Sequence, residues 1–226
     1  SLTNAFTEIG TAFERANPGV KIAFNFAGSQ ELRTQIEQGA RADVFASADA
    51  KNIDDLQSKG LTRGDARAFA RNRLIVITPK NNPAGIKSLN DLAKPGVKLV
   101  LADASVPVGY YSIQVLDKLS ADAAFGADFK TRVLARVVSR ENNARQVVGK
   151  VSLGEADAGI VYATDAQSAA DKLVAFEIPD AFNVIAIYPM AILKESANGA
   201  LAEKFVAFVL SSEGQTILKQ HGFTAP

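Results

Sequence analysis

The run Arg73-Leu74-Ile75-Val76-Ile77-Thr78, closed by Pro79, and its later counterpart Val184-Ile185-Ala186-Ile187-Tyr188, closed by Pro189, decide how the chain is read. Both are rich in β-branched and aromatic residues, which favour strands, and each meets a proline, which has no N–H to give a ladder. Between them helices and strands alternate again. Ser88 caps a short helix carrying Leu89 and Leu92, Val97–Ala102 reads as a strand, and Gly109–Leu119 as a helix. Arg132–Val138 reads as extended, Asn143–Leu153 as helical, and Ala158–Tyr162 as a buried strand followed by a turn. Two arrangements fit. One is a single α/β domain. The other is two α/β lobes joined by two crossing segments, residues 1–79 plus 189–226 forming lobe one and 80–188 lobe two. The second explains why strong strands stop at proline on both sides of the insert.

Outward from this frame, Leu2, Ala5, Phe6, Ile9 and Phe13 recur at helical spacing and open the chain on a helix that Asn17-Pro18-Gly19 ends. Val20–Phe26 alternates as a strand does. Ser29 is placed to cap a helix reaching Gln38, with Gly39 as its stop. Ala42–Ala46 is a short buried strand, and Ile53–Lys59 a helix. Leu201–Leu210 and Gly214–Gln220 supply C-terminal helices. Strands separated by helices of this length predict βαβ units and a mostly parallel sheet.

Composition removes whole classes of function. The 226 residues contain 25 Lys+Arg against 24 Asp+Glu, a formal charge of +1, which argues against a nucleic-acid binder whose affinity rests on a basic face. With no Cys and only His221, thiolate sites, disulfides and multi-histidine metal centres are excluded. No apolar run approaches the roughly 20 residues of a membrane span, and Ser1-Leu2-Thr3-Asn4 has no signal-peptide character.

Chemistry is expected where strands turn into helices, because helix N-termini present unpaired N–H groups and a partial positive charge. Four junctions qualify: Ser1-Leu2-Thr3, Ala27-Gly28-Ser29, Val106-Pro107-Val108-Gly109 and Glu141-Asn142-Asn143-Ala144. Taken singly, each of them is better accounted for by plain capping. Tyr162, at the end of a buried strand, is either a core residue or a hydroxyl donor to an oxyanion. Asp43, Asp49, Asp103 and Asp165 flank strands and are open to roles as acids, bases or loop caps. His221 has no G-x-S-x-G serine to pair with, and Gly149–Gly154 has the wrong order for a P-loop.

At these residues the sequence resembles the molybdate-binding proteins that serve bacterial ABC importers. The resemblance runs through Ser1–Phe6, Phe26-Ala27-Gly28-Ser29 with Leu32, Gln35–Asp49, Asn82–Ile86 and Val106-Pro107-Val108-Gly109. It continues through Gly154–Tyr162 with Asp165-Ala166, and His221-Gly222-Phe223. It implies a type II, two-lobed periplasmic binding protein fold with the anion in the cleft between lobes. The family's two serines, two backbone amides and one tyrosine fall on Ser1, Ser29, Val108, Ala144 and Tyr162. Glu141–Arg145 differs from the commoner Asp-Val-Arg or Asn-Val-Arg, so the second amide belongs to Ala144 or its neighbour. Family members also carry an apolar strand before the first serine; the expectation is that the chain is trimmed there or that lobe one lacks that strand.

The implied protein is no enzyme and needs no cofactor: it is a monomeric extracytoplasmic receptor, periplasmic or membrane-tethered, that binds molybdate or tungstate and delivers it to an inner-membrane ABC permease. Molybdate is a tetrahedral dianion with only acceptor oxygens near neutral pH, so a pocket of donors suits it and no side chain need touch the metal. Lobe closure would desolvate the ion and form the surface the permease reads. The rival readings are a receptor for another oxyanion such as sulfate, the effector domain of a transcription regulator, and a small α/β enzyme using Asp49 or Asp103 as base.

Overall fold

A computed structural model describes residues 1–226. The chain forms two compact units, residues 1–72 with 187–226 and residues 73–186, so the chain passes between units a few residues before Pro79 and Pro189.

In the first unit, α1 (Thr3–Ala16) buries Ala5, Phe6, Ile9, Ala12 and Phe13, which fall on one stripe at three- and four-residue steps. They meet an aromatic cluster: Phe6 lies 5.5 Å from Phe69, Phe13 5.3 Å from Phe205, and Tyr188 5.4 Å from Phe223 between ring centroids. After it come α2 (Ser29–Glu37), β1 (Val44–Ala46) and α3 (Ala50–Ser58). Phe45, Ile53, Leu56, Ala191 and Leu193 form a second buried cluster, against which Leu32 and Ile36 of α2 pack.

The strand predicted over residues 20–26 does not form. Its alternation is genuine, and Phe24 stacks on Phe26 at 5.1 Å and meets Phe6 edge-on at 6.2 Å. A strand also needs a partner's backbone, and here Val20 N–H goes to the Asn17 carbonyl and Ile22 N–H to the Glu14 carboxylate.

β2 (Thr62–Pro79) is far longer than the apolar run that announces it, and it carries the chain from the first unit into the second. The second unit continues with a 3-10 turn at Leu89–Ala93, β3 (Leu99–Ala102), α4 (Pro107–Ala121), α5 (Phe129–Leu134), β4 (Val137–Glu141), α6 (Ala144–Ser152), β5 (Ala158–Tyr162), α7 (Ala163–Gln167) and β6 (Leu173–Glu177). The stretch expected to be extended over 132–138 is therefore the end of α5 and the start of β4. Val133 is fully buried beside Phe129 on the helix, and Val137 opens the strand. β7 (Ile185–Leu193) then returns to the first unit, followed by α8 (Gly199–Leu210) and α9 (Ser212–Gln220).

The strand order in the second unit is β6-β2-β5-β3-β4. The expected mostly parallel sheet is instead mixed. β3 runs parallel to β4 and β5, while β2 is antiparallel to both β5 and β6. Helical crossovers impose parallel pairing only on the strands they join: α4 and α5 lead from β3 to β4, and α6 from β4 to β5. In the first unit β1 pairs antiparallel with β7, placing Ala46 opposite Met190. Pro189 sits inside β7 instead of interrupting it. Its carbonyl accepts the Ser47 N–H at 2.9 Å, so the ladder uses only the group that proline keeps.

The 3-10 turn carries the most perturbed acid. Ser88 and Asp91 form a capping box, and the Asp91 carboxylate accepts the N–H groups of Lys87 at 2.7 Å and Ser88 at 2.9 Å. Lys94 above all, then those two amides, hold the Asp91 pKa down at about 2. A carboxyl depressed on folding adds stability above its unfolded pKa near 4, and this is lost as pH falls towards 2. Urea midpoints taken at pH 5 and pH 2.5 should therefore differ less in Asp91→Asn than in the parent; an equal difference would remove Asp91 from the acid response.

Candidate functional site

The second unit builds a donor-rich edge. β4, β3 and β5 are neighbours running in one direction, and the register sets Ala102 opposite Glu141 and Val100 opposite Gly159. Their carboxyl ends are therefore flush, and the segments leaving them emerge side by side. Val108 follows β3, Ala144 follows β4, and Tyr162 is the last residue of β5. The structure thus brings three of the five expected ligand residues to one edge of one sheet.

Local sequence explains how the amides are presented. Pro107 opens α4 with its φ already helical and no N–H of its own. The first helical bond runs from Tyr110 N–H to the Val106 carbonyl, so the Val108 and Gly109 amides precede the ladder. At α6 the cap is Asn143, whose Oδ1 accepts the Gln146 N–H at 3.0 Å, and Gln146 Oε1 in turn accepts the Asn142 N–H at 2.9 Å. This reciprocal cap leaves the Ala144 amide at the open end of the helix, with the positive end of its dipole behind it. Val108, Ala144 and Tyr162 are all buried.

The first unit holds the two serines. Ser29 is the first residue of α2, with Gly28 in the capping position where Ser29 was expected. That one-residue shift turns the hydroxyl away from capping: Ser29 Oγ accepts the Ala48 N–H at 3.0 Å, which leaves its proton to be donated. Ala48 is held by a buried turn in which Ser47 Oγ donates to Asp49 Oδ1 at 3.2 Å and Asp49 accepts the Asn52 N–H at 3.0 Å to cap α3. Ser1 is half-buried and immediately precedes Leu2, the N-cap of α1.

The flanking acids are occupied in ways that suit structure better than proton transfer. Asp49 is a helix cap. Asp103 accepts both the N–H and the hydroxyl of Ser105, which hold its pKa down. Asp43 is lowered chiefly by the Ser196 hydroxyl, then by Asn198. Asp165, fully buried, faces Arg145 at 3.4 Å. His221 closes α9 and contacts Glu8 at 2.8 Å. No group of three or more His, Asp or Glu side chains is arranged to hold a metal ion.

Two contributors were not visible in the sequence. The Ala48 amide orients Ser29, and no residue type advertises a backbone donor. Gly109 lets α4 approach the end of β3: a Cβ there would lie 2.0 Å from the Asp103 carbonyl oxygen and 2.6 Å from that of Ala102.

Comparison with known proteins agrees with this architecture. Residues 1–224 match the family described as bacterial extracellular solute-binding protein. The chain is 41% identical over 226 residues to the molybdate-binding protein ModA of Mycobacterium tuberculosis (strain H37Rv), covering all of this chain and 82% of that one. A solved substrate-binding domain of a putative molybdenum ABC transporter from Clostridium difficile is 29% identical, with a TM-score of 0.72, covering 100% of this chain and 95% of that one. For the fold, the periplasmic molybdate-binding protein of Azotobacter vinelandii superposes with a TM-score of 0.83 at 23% identity, over 100% and 96% of the two chains. The chain has the α/β fold of the periplasmic binding proteins, and it belongs to the bacterial extracellular solute-binding proteins, a family of receptors and not of enzymes.

Proposed function

We propose that this chain is the molybdate receptor of an ABC importer, and that Ser1, Ser29, Val108, Ala144 and Tyr162 together hold the ion. The observation that carries the reading is the flush edge of β4, β3 and β5, where two helix N-termini and a tyrosine, all hydrogen-bond donors, leave one sheet. Ser29, whose oxygen accepts the Ala48 N–H, adds its hydroxyl proton to the donor set. A fully deprotonated tetrahedral dianion is the ligand such a donor set fits, since a protonated phosphate would ask for an acceptor. The names of the relatives above support molybdate in particular. Tungstate, alike in charge and size, binds comparably; sulfate, with shorter bonds, leaves donors out of reach. The receptor works outside the cytoplasm as a monomer, in the periplasm or tethered to a membrane, and passes its ion to a permease. No helix is long and apolar enough to cross a membrane.

Calorimetric titration of the purified protein with molybdate, tungstate and sulfate tests this. Comparable tight binding of the first two and much weaker sulfate binding is expected; tight sulfate with no heat from molybdate overturns it. Ser29→Ala and Tyr162→Phe should each weaken molybdate binding by about 1–3 kcal/mol, the range for a hydrogen bond to a charged partner. Unchanged affinity in both would remove these residues from the site.

A further inference from the structure

Arg145 and Asp165 form an ion pair that bridges the two segments carrying Ala144 and Tyr162. Arg145 is the second residue of α6, bonded directly to Ala144, and Asp165 lies in the first turn of α7, for which Tyr162 is the N-cap. Arg145 Nε stands 3.4 Å from Asp165 Oδ1, the carboxylate side chain fully buried and the guanidinium 38% exposed. α6 packs against α7 and β5, so the pair ties together elements already in contact.

Among the carboxylates near this edge, Asp165, three residues after Tyr162, is the one whose side chain is fully buried. Alone it would oppose a dianion brought to that edge. Burying a charge is tolerated when it is paired, and removing one partner leaves the other uncompensated. We infer that Arg145 and Asp165 are positioning residues of the oxyanion site: their pairing fixes the Ala144 amide against the Tyr162 hydroxyl and cancels the carboxylate's repulsion of the ligand. This rests on the molybdate reading above. Arg145 acts through Asp165 and does not itself touch the ion.

The pair therefore makes an asymmetric prediction. Arg145→Gln takes the guanidinium's charge away from beside the carboxylate and should weaken molybdate binding tenfold or more, on the order of the couplings seen between contacting charged residues. Arg145→Lys keeps the charge and should stay within about threefold of the parent. Asp165→Asn removes the repulsion together with the clamp and should lose less than Arg145→Gln. The double variant Arg145→Gln/Asp165→Asn should recover most of the affinity lost in Arg145→Gln.

Titrations of the parent and all four variants with sodium molybdate at two ionic strengths, with thermal melting alongside, read this out. Recovery in the double variant supports the inference. Two results overturn it: Arg145→Gln with a lowered Tm but parental affinity, which makes the pair structural only, and a double variant as weak as Arg145→Gln, which makes Arg145 a direct ligand. Should Arg145→Gln fail to fold, the Lys and double variants still decide: a Lys variant weakened tenfold, or a folded double variant weakened tenfold, also overturns it. If the parent itself shows no molybdate binding, the molybdate reading fails first, a result distinct from any of these.

Discussion

Gly109→Ala weakens molybdate binding by about 10- to 100-fold, the equivalent of one charge-assisted hydrogen bond of about 1.5–3 kcal/mol, while lowering stability by a further 1–3 kcal/mol from overpacking. The new Cβ would meet the Asp103 carbonyl oxygen at 2.0 Å, the Ala102 oxygen at 2.6 Å and the Asp103 carbonyl carbon at 2.7 Å. All three are backbone atoms, so no side chain can turn aside. The start of α4 must retreat by about 1 Å to reach even the shortest contacts Cβ atoms make. Val108 is the adjoining residue, so its amide moves with the helix. A displacement of that size spoils a hydrogen bond whose useful range spans only about 0.5 Å.

The matched control is Gly149→Ala. Gly149 is interior to α6, with no atom within 4 Å of its would-be Cβ and no positive φ. There alanine should stabilise by about 0.5–1 kcal/mol through helix propensity and leave molybdate affinity unchanged. Calorimetry and thermal melting of both variants check the pair. Parental affinity in a folded Gly109→Ala protein would mean that the Val108 amide is not a ligand.

How much of this was readable beforehand depends on what each residue type encodes. Ala158–Tyr162 and the apolar half of β2 were legible because short apolar runs rich in Ile and Val and bounded by turn residues have few other uses. β6 was not, because three of its five residues, Val174, Ala175 and Glu177, are exposed and its apolar pattern is weak. Val20–Phe26 shows the opposite failure. Its period is right, yet pairing is a property of two segments, and the pattern of one cannot supply the other. Pro189 misleads for a related reason: proline forbids donation, and whether a ladder needs that donor depends on which edge the residue faces.

At the site the division is sharper. Ser29 and Tyr162 bring recognisable hydroxyls. Val108 and Ala144 contribute only N–H groups, which every residue but proline has, so resemblance alone singled them out. Capping predicted a helix start near Ser29, but a shift of one residue changes its hydroxyl from a cap into a donor. Gly109 looks in sequence like any other glycine, and only the approach of α4 to β3 makes it indispensable.

Asn183→Ala should cost about 3–5 kcal/mol of stability and lower Tm by about 10 °C, the largest loss expected from any single polar side chain here. Asn183 is buried, and its amide uses nearly all of its capacity. It accepts the N–H groups of Leu74 at 3.1 Å and Val184 at 2.8 Å, and donates to the carbonyls of Leu74 at 2.9 Å and Ile178 at 3.2 Å. Alanine leaves those groups inside the protein with no replacement, and each buried orphan costs about 1–3 kcal/mol. Against a total of about 5–15 kcal/mol, that is a large fraction.

The position of Asn183 extends the consequence to binding. Leu74, which it holds on both backbone groups, is the register partner of Tyr162 across β2 and β5. The backbone carbonyl of Asn183 accepts Lys118 Nζ at 2.6 Å, and Lys118 belongs to α4, the helix that begins beside Val108. The side-chain amide thus supports the strand next to the tyrosine ligand, while the backbone carbonyl, which alanine keeps, receives the far end of the helix that presents an amide ligand. Loss of molybdate affinity by a few-fold should accompany the stability loss, from a residue that touches neither the ion nor any of its donors. Asn183→Asp discriminates the cause: it keeps the acceptor for Leu74 and Val184 but not the donors, and adds a buried charge, so it should be no more stable than the alanine variant. Denaturant unfolding of the three proteins with and without saturating molybdate measures both effects. A parental midpoint in Asn183→Ala would show that the network is dispensable.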